Sequence, residues 1–382
     1  MSSQIIPYNK QNINSQDIKA VNQAVKSKFL TQGPKNELFC NEISKFTKSK
    51  YSLVLNSATS ALHVACLSLN LRKNDYLWTS SNTFISSATA GVHCGAKIDL
   101  IDIDLDTGNL SVLDLEKKLV FAKKKNCLPK ILVVVHFAGI PCDMKKIFQL
   151  SRKYKFKIIE DASHALGSIY YNMSIGNCKY SDICIFSFHP IKSITTFEGG
   201  AITTNSKKIY TLSKLLSNHG IVKNSDKNRR WLYDQKLLGF NYRLSDVSCA
   251  LGISQIKRIK KFIKKRNDIA KFYNKHLKNL PLKLPNINKN ILSSYHLYVI
   301  SFNENKRDNF FQFMLKNKIQ LQYHYIPLYK HTFFQKHFKF KKKNFKNMEY
   351  YYKHSVSLPI YFDLKKQDLI KIVRLTKQYL KK

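Results

Sequence analysis

Three short segments carry residue types that could act together. In Ile158-Ile159-Glu160-Asp161-Ala162-Ser163-His164-Ala165-Leu166-Gly167, a β-type run delivers Asp161 to its carboxyl end. A carboxylate there can hold a cationic ring nitrogen, a metal ion or a helix amide. In Ile185-Phe186-Ser187-Phe188-His189-Pro190-Ile191-Lys192, a second run ends in a polar turn with one lysine, and Gly199-Gly200 follows. Most lysines of a lysine-rich chain are solvated surface residues. Lys192, however, follows Asp161 by 31 residues, one strand-helix-strand unit, so both would face one crevice at the carboxyl ends of strands. A desolvated lysine sheds its proton readily and can act as an amine nucleophile or base. In Asn56-Ser57-Ala58-Thr59-Ser60-Ala61-Leu62, small residues follow a β-type run and open a helix. Free amides at a helix start favour an anion. An ordinary helix capped by Ser57 or Thr59 would look the same. Taken together the three segments suit pyridoxal 5'-phosphate: a lysine for a Schiff base, an aspartate for the pyridinium nitrogen and a helix start for the phosphate.

The elements that must position these residues alternate through the first half of the chain. Strands are expected at 52–55, 76–79, 98–103, 131–136, 156–159 and 182–187, with helices between, for example at 59–69 and 144–154. Such alternation predicts an α/β domain on a mainly parallel sheet. A later strand, 201–204, should edge or reverse in it. From about residue 244 the texture changes. Residues 245–277 read as one or two long basic helices, 295–302 and 320–325 as strands, and 367–380 as an amphipathic helix. The expected division is a large domain, 1–244, and a smaller α+β domain, 245–382. The lysine-rich stretch 336–346 reads as a solvated loop.

Composition bounds the rest. The 382 residues are 44% hydrophobic, which excludes global disorder. No apolar run approaches the ~20 residues that span a bilayer. The amino terminus lacks the pattern of a signal peptide, so no membrane association and a cytoplasmic location are expected. The formal charge is +41, which by itself points to a polyanionic partner. Against that, nine of the 65 basic residues are arginine, the better base reader, and the wealth of Lys, Ile, Asn, Phe and Tyr reflects AT-rich codons. Nucleic acid is therefore not the expected partner. The eight cysteines and twelve histidines show no metal-ligand spacing, and no metal site is expected.

With these segments in view the chain resembles the DegT/DnrJ/StrS group of sugar-nucleotide aminotransferases, which have the fold-type I aminotransferase fold. The resemblance runs over nearly the whole chain. It is carried by Ile6-Pro7-Tyr8, Leu30-Thr31-Gln32-Gly33-Pro34, residues 56–62, Asn82-Thr83-Phe84, His136-Phe137-Ala138-Gly139, residues 160–167 and 187–200. Gly239-Phe240-Asn241-Tyr242-Arg243-Leu244, His324-Tyr325-Ile326-Pro327 and Ser357-Leu358-Pro359 complete it. Ser163-His164-Ala165, the run from Ser187 to Thr196 and Asn218-His219-Gly220 most resemble the branch serving pseudaminic acid synthesis.

The resemblance implies an aminotransferase that moves an amino group from L-glutamate to C4 of a UDP-linked 2-acetamido-2,6-dideoxy-4-keto hexose. It implies pyridoxal phosphate as cofactor. Lys192 matches the Schiff-base lysine and proton shuttle, and Asp161 the carboxylate on the ring nitrogen. His164 takes the place beside the cofactor's phenolic oxygen, and Phe84 that of the aromatic stacked on the ring. Ala58, Thr59 and Ser187 match phosphate-binding positions. Asn241 resembles the residue that reaches the phosphate from a partner subunit, which implies a homodimer with a shared active site. Tyr8, the turn Lys28, Phe29, Leu30 and Thr31, and the segment Gln322, Tyr323, His324 and Tyr325 resemble substrate-lining positions. The basic segment 221–235 is either a surface loop or the holder of the glutamate carboxylate through Arg229 or Arg230; Arg243 is a second candidate. In this group a histidine in place of the lysine marks dehydratases, so Lys192 favours transamination. Two alternatives stand beside this reading: another UDP- or dTDP-keto-deoxy sugar as acceptor, or a basic polyanion-binding protein on the same scaffold.

Overall fold

A computed structural model describes residues 5–224, 229 and 231–381. Helices α1 (Ser15–Val25) and α2 (Pro34–Thr47) precede a seven-stranded sheet. Its strands are β1 (Tyr51–Leu55), β2 (Tyr76–Ser80), β3 (Lys97–Ile101), β4 (Ile131–Val135), β5 (Lys157–Asp161), β6 (Ile183–Ser187) and β7 (Gly200–Thr204). Their spatial order is β1-β7-β6-β5-β4-β2-β3. β2 pairs in parallel with β3 and β4, β4 with β5, and β5 with β6. Every residue of β4 and of β6 is buried, as in a strand covered on both faces. β7 does reverse, but it is internal: it lies antiparallel between β1 and β6.

Helices α3 (Ala58–Ser68), α4 (Ser86–His93), α5 (Val112–Lys124) and α6 (Met144–Tyr154) link the parallel strands, and α7 (Lys207–Leu216) follows β7. In α6 the buried residues Met144, Ile147, Leu150, Ser151 and Tyr154 recur at helical spacing, so one face packs on the sheet. Asp143 caps its start, and Lys155 ends it in the left-handed region. The parallel topology carries the carboxyl ends of β2, β4, β5 and β6 to one rim, where Asn82, Ala138, Asp161 and Ser187 meet.

The described residues of the basic segment beyond α7 include two short paired strands. β8 (Ile221–Lys223) and β9 (Tyr233–Gln235) pair as a two-stranded ribbon. The chain then forms two helices, α8 (Asp246–Ile256) and α9 (Ile259–Leu277). The remainder holds β10 (Tyr298–Phe302), α10 (Arg307–Lys316), α11 (Thr332–His337), α12 (Lys346–His354), β11 (Ser355–Leu358) and α13 (Lys366–Leu380). β10 pairs antiparallel with β11 and with a short strand, Leu282–Lys283. Its core gathers Ile269, Tyr273, Tyr298, Phe310, Val356 and Ile372, and also Ile6 from the amino-terminal segment, which bridges Ile319.

Two expectations fail here. Residues 320–325 form no strand; the segment is extended and makes one isolated bridge, Gln322 with Ser357. The stretch 336–346 is not simply solvated, because Phe345 is buried and Phe338 and Phe340 pack on the same apolar cluster. Its lysines face solvent while its aromatics do not, a division that lysine content conceals.

Arg266, in the buried stripe of α9, joins the two halves. Its Nη1 donates to the carbonyls of Tyr295, His296 and Ile360 at 3.2, 3.2 and 2.8 Å, and its Nη2 to Asn9 Oδ1 at 3.2 Å. The segment around Tyr295 is thereby held against α9 and the amino-terminal segment. Gly139 admits it: at φ 88° it has no side chain, and a Cβ there would meet Ser294 Oγ at 2.3 Å. Gly200 is similarly constrained, since a Cβ would lie 2.5 Å from Ala58 N and from the Ser57 carbonyl at the start of α3. Gly200→Ala should therefore push β7 away from that helix start and destabilise the fold by about 1–3 kcal/mol, read as a lowered urea midpoint. An unchanged midpoint would show that the contact relaxes freely.

Candidate active site

Asp161 is the last residue of β5 and is buried. Because side chains alternate along a strand, Asp161 and Glu160 serve opposite faces. Glu160 pairs with His136 (2.8 Å) and accepts a hydrogen bond from Ser181. Asp161 accepts from the Ser87 hydroxyl at 2.7 Å and from the Ser163 amide at 3.1 Å, and Thr83 lies 2.7 Å from Ser87. No ion pair among the described residues involves Asp161. A carboxylate taken out of water with two neutral donors still wants a cation.

Lys192 stands in the turn after β6, its backbone N–H held by the His189 carbonyl at 2.9 Å. Desolvation lowers its pKa to about 8, and the Asp161 charge opposes this only in part. A useful fraction of the amine is thus neutral near physiological pH. Three buried imidazoles lie around it. His164, His296 and His324 all have pKa values pushed down by burial first and by the Lys192 charge as well. His164 Nδ1 accepts from Ala138 N–H at 3.3 Å, so its proton sits on Nε2, which donates to Tyr325 Oη at 3.0 Å. The His296 ring lies 4.2 Å from that of His164, and both of its nitrogens are buried without a partner.

The start of α3 is a capped helix start that leaves room for an anion. Ser57 forms a capping box with Ser60, and its carbonyl takes the Ala61 amide. The cap therefore serves Ser60 and Ala61 and leaves the Ala58 and Thr59 amides for an external acceptor. Thr59 Oγ1 lies 2.9 Å from Ser86 Oγ at the start of α4. Ser187 ends β6 opposite Gly200, and no side-chain hydrogen bond among the described residues involves its hydroxyl. These residues fit an aromatic cation bearing a phosphate: Asp161 for the positive ring nitrogen, and the α3 amides with Ser187 for the anion. Pyridoxal phosphate has this form.

The other expected residues divide. Tyr8 and His324 have ring centroids 5.7 Å apart, and His324 Nδ1 bonds to Ser357 Oγ at 2.8 Å. Tyr325 accepts its backbone placement from Asn82, whose Oδ1 takes the Tyr325 N–H at 3.0 Å, and its ring is 6.1 Å from Phe84. Phe84 itself is 56% exposed. Tyr323 turns away: its hydroxyl reaches Asp308 on α10, and Arg307 stacks over its ring at 4.1 Å. Gln322 uses its side-chain carbonyl on the next backbone amide. Lys28, Phe29, Leu30 and Thr31 are exposed and dock on the start of α8 through the Thr31–Ser245 bridge. Asn241 is exposed and bridges Asn218, beside the β1 end where Asn56 N–H donates to the Tyr242 carbonyl. Arg243 donates to Asn218 Oδ1 at 2.7 Å while its Nε is buried without an acceptor. Arg230 lies outside the described residues. Ser87, Asn82 and His296 were not foreseen as site residues. A serine inside a helix and a histidine at a strand start carry no local signal, whereas Asn82 directly follows β2 and could have been found by its place.

Among the described residues, no group of three His, Cys, Asp or Glu side chains is placed to hold a metal ion, and no helix is long and apolar enough to cross a membrane. A profile of the DegT/DnrJ/EryC1/StrS aminotransferase family matches residues 11–376. A UDP-4-amino-4,6-dideoxy-N-acetyl-beta-L-altrosamine transaminase of Campylobacter jejuni subsp. jejuni serotype O:23/36 (strain 81-176) is 39% identical over 368 residues, 95% of this chain and 94% of that protein. Among solved structures, Helicobacter pylori PseC, an aminotransferase involved in the biosynthesis of pseudoaminic acid, superposes with a TM-score of 0.91 at 30% identity. That match covers 99% of this chain and 100% of the other. The sugar aminotransferase Spr1654 of Streptococcus pneumoniae, described as putative and in its PLP-form, gives a TM-score of 0.90 at 25% identity over 99% of both chains. The chain belongs to the DegT/DnrJ/EryC1/StrS aminotransferase family.

Proposed function

We propose that this aminotransferase uses pyridoxal phosphate to move an amino group from L-glutamate to C4 of a UDP-linked 2-acetamido-2,6-dideoxy-4-keto hexose. The observation that carries the chemistry is the convergence of a buried, cation-free Asp161, a desolvated Lys192 amine and the unused α3 amides on one rim. The sugar class rests on the Campylobacter relative, whose name gives the 4-amino product.

When bound, pyridoxal phosphate supplies an aldehyde that exchanges amines and a ring that accepts an electron pair. Asp161 would hold the ring nitrogen, and the Ser87 hydroxyl and Ser163 amide aim its carboxylate. Lys192 would hold the group through its aldehyde carbon. As a free amine it then takes the proton from glutamate Cα and, in the return half, delivers one to sugar C4. Tyr325 and His164, which burial favours in their neutral forms, would orient the ring's phenolic oxygen. Tyr8 and His324 line the sugar side.

The active unit in this reading is a homodimer in the cytoplasm. Apolar residues of the ribbon region, Trp231, Tyr233 and Leu238, are exposed, and so are Phe29, Leu30, Phe84 and Phe197. A lone chain rarely leaves so much apolar surface uncovered, and a second copy would cover both sets. All eight cysteines are free thiols, which suits a reducing compartment.

The deciding experiment is an absorbance titration of the purified protein. Glutamate should bleach the visible band of lysine-bound cofactor, and one UDP-4-keto sugar should restore it; restoration by a dTDP sugar alone would overturn the acceptor assignment. Lys192→Ala should bind the cofactor without that band and lose about 10³–10⁴-fold in kcat. A variant that kept its activity would remove Lys192 from the mechanism. The neutral fraction of Lys192 grows about tenfold per pH unit until about 8. Cofactor uptake by the cofactor-free protein should accordingly quicken up to that pH and then level off. Uptake still climbing at the same slope a unit higher would mean an ordinary lysine. Asn241→Ala should weaken cofactor binding while sedimentation still shows a dimer; unchanged affinity in an intact dimer would exclude a cross-subunit contact.

A further inference from the structure

The loop that follows β3 reaches the rim and holds both ends of one hydrogen bond there. Asn109, 4% exposed, spans the turn after β4. Its Oδ1 accepts the Phe137 N–H at 2.8 Å, and its Nδ2 donates to the Ile140 carbonyl at 2.9 Å. Between these two anchors Ala138 and Gly139 take left-handed φ values of 58° and 88°. An alanine adopts that conformation only at a cost, so its surroundings must hold it there. The result is the direction of the Ala138 N–H, which donates to His164 Nδ1 at 3.3 Å.

The loop is itself braced. Asp104 Oδ1 accepts the Thr107 N–H at 2.9 Å and the Thr107 hydroxyl at 2.8 Å. The Asp104 carbonyl takes the Gly108 N–H, and the Asp104 N–H goes to the Asn109 carbonyl, both at 2.8 Å. Gly108, at φ 70°, lies against the Phe137 ring, where a Cβ would come within 2.8 Å of Cδ1. The Gly108 carbonyl accepts from Asn82 Nδ2 at 3.0 Å, and Asn82 Oδ1 takes the Tyr325 N–H at 3.0 Å. One loop therefore places His164 through Asn109 and Tyr325 through Asn82. The bond between the two, His164 Nε2 to Tyr325 Oη at 3.0 Å, is what these arms bring together.

We propose that Asn109 is a positioning residue: it aims the Ala138 amide at His164 and so sets which ring nitrogen carries the proton. A neutral imidazole has one donor and one acceptor nitrogen, and the bond made by one decides the state of the other. With the Ala138 N–H on Nδ1, the proton lies on Nε2 and goes to Tyr325. Without Asn109 the peptide before Ala138 is free to turn, Nδ1 can take the proton, and Nε2 becomes an acceptor for the phenol. The Tyr325 proton then points at His164 and not at the rim. What this does to the cofactor's phenolic oxygen rests on the functional reading above; the position of the His164 proton does not.

The first measurement is NMR of the cofactor-free protein carrying the NMR-active nitrogen isotope at histidine, with the His164 signals identified by their loss in His164→Leu. Wild type should carry the His164 proton on Nε2, and Asn109→Ala should shift it partly or wholly to Nδ1. Asn109→Asp, which keeps an acceptor for the Phe137 N–H but has no donor for Ile140, should do the same and is read where Asn109→Ala does not fold. A wild-type proton on Nδ1, or a variant ring protonated on Nε2 alone, would overturn the proposal. The second measurement is a double-mutant cycle on the cofactor-loaded enzyme. Asn109→Ala should lower kcat by about 10- to 100-fold, the range for groups that orient a functional imidazole. In His164→Leu, which has no ring nitrogen to orient, the same substitution should cost no more than about twofold. Equal losses in both backgrounds would make Asn109 a support of the fold alone and would also overturn the proposal. A loaded enzyme that turns over no keto sugar would fail the functional reading, while the NMR result still decides the role of Asn109.

Discussion

A carboxylate buried at the end of the central strand, with no direct ion pair among the described residues, is the constraint around which this rim is built. Asp161 cannot move, because β5 lies between β4 and β6 and pairs with both. Its hydrogen-bond donors are a serine hydroxyl and a backbone amide, each neutral. The nearest amine, on Lys192, is desolvated and gives up part of its charge. The imidazoles facing the pair are held neutral by burial. Each of these features withholds compensation from Asp161. A ligand can supply further positive charge, and a protonated aromatic nitrogen does so without a counter-ion of its own.

The same logic explains what could be read from the residues alone. Strand ends in a parallel sheet are dictated by apolar runs, so Asp161, Ser187 and the helix start at Ala58 were placed correctly from pattern. The apolar run of β4 and the sharp boundary before Asn56 left little freedom. Ser87 and Asn82 were missed as site residues because their roles depend on which helix and loop land beside β5, a matter of tertiary packing. Residues 320–325 misled for a related reason. Their alternating aromatic pattern suits a strand, yet Tyr323 packs on Arg307, His324 on Ser357 and Tyr325 on His164. The segment uses its side chains in three directions, which a ladder would forbid. The basic ribbon was hidden by composition, since lysines and arginines around Trp231 mask a two-stranded pairing.

The large formal charge of +41 is similarly uninformative about the site. Lysines pair with the few acids at the surface, as Lys118 with Asp99 and Lys130 with Asp75, contacts worth little in water. At the rim the charge is scarce and deliberate. One carboxylate and one amine face each other there among neutral hydrogen-bonding groups.

That neutrality extends to proton positions. Ala138 takes a left-handed φ of 58°, and its N–H donates to His164 Nδ1. The backbone thereby fixes the tautomer, since a nitrogen that accepts cannot also carry the proton. The Nε2 proton must then go to Tyr325 Oη, which frees the phenol's own proton to be given elsewhere. Burial raises the Tyr325 pKa, and the Asp161 charge raises it further, so the phenol stays protonated. A backbone amide two strands from the catalytic turn thus decides that this side of the rim presents a hydrogen-bond donor and not an anion. A second anion there would compete with Asp161 for the same cation. A donor instead complements an acceptor oxygen on the ring that Asp161 holds, so the two residues select opposite edges of one planar molecule.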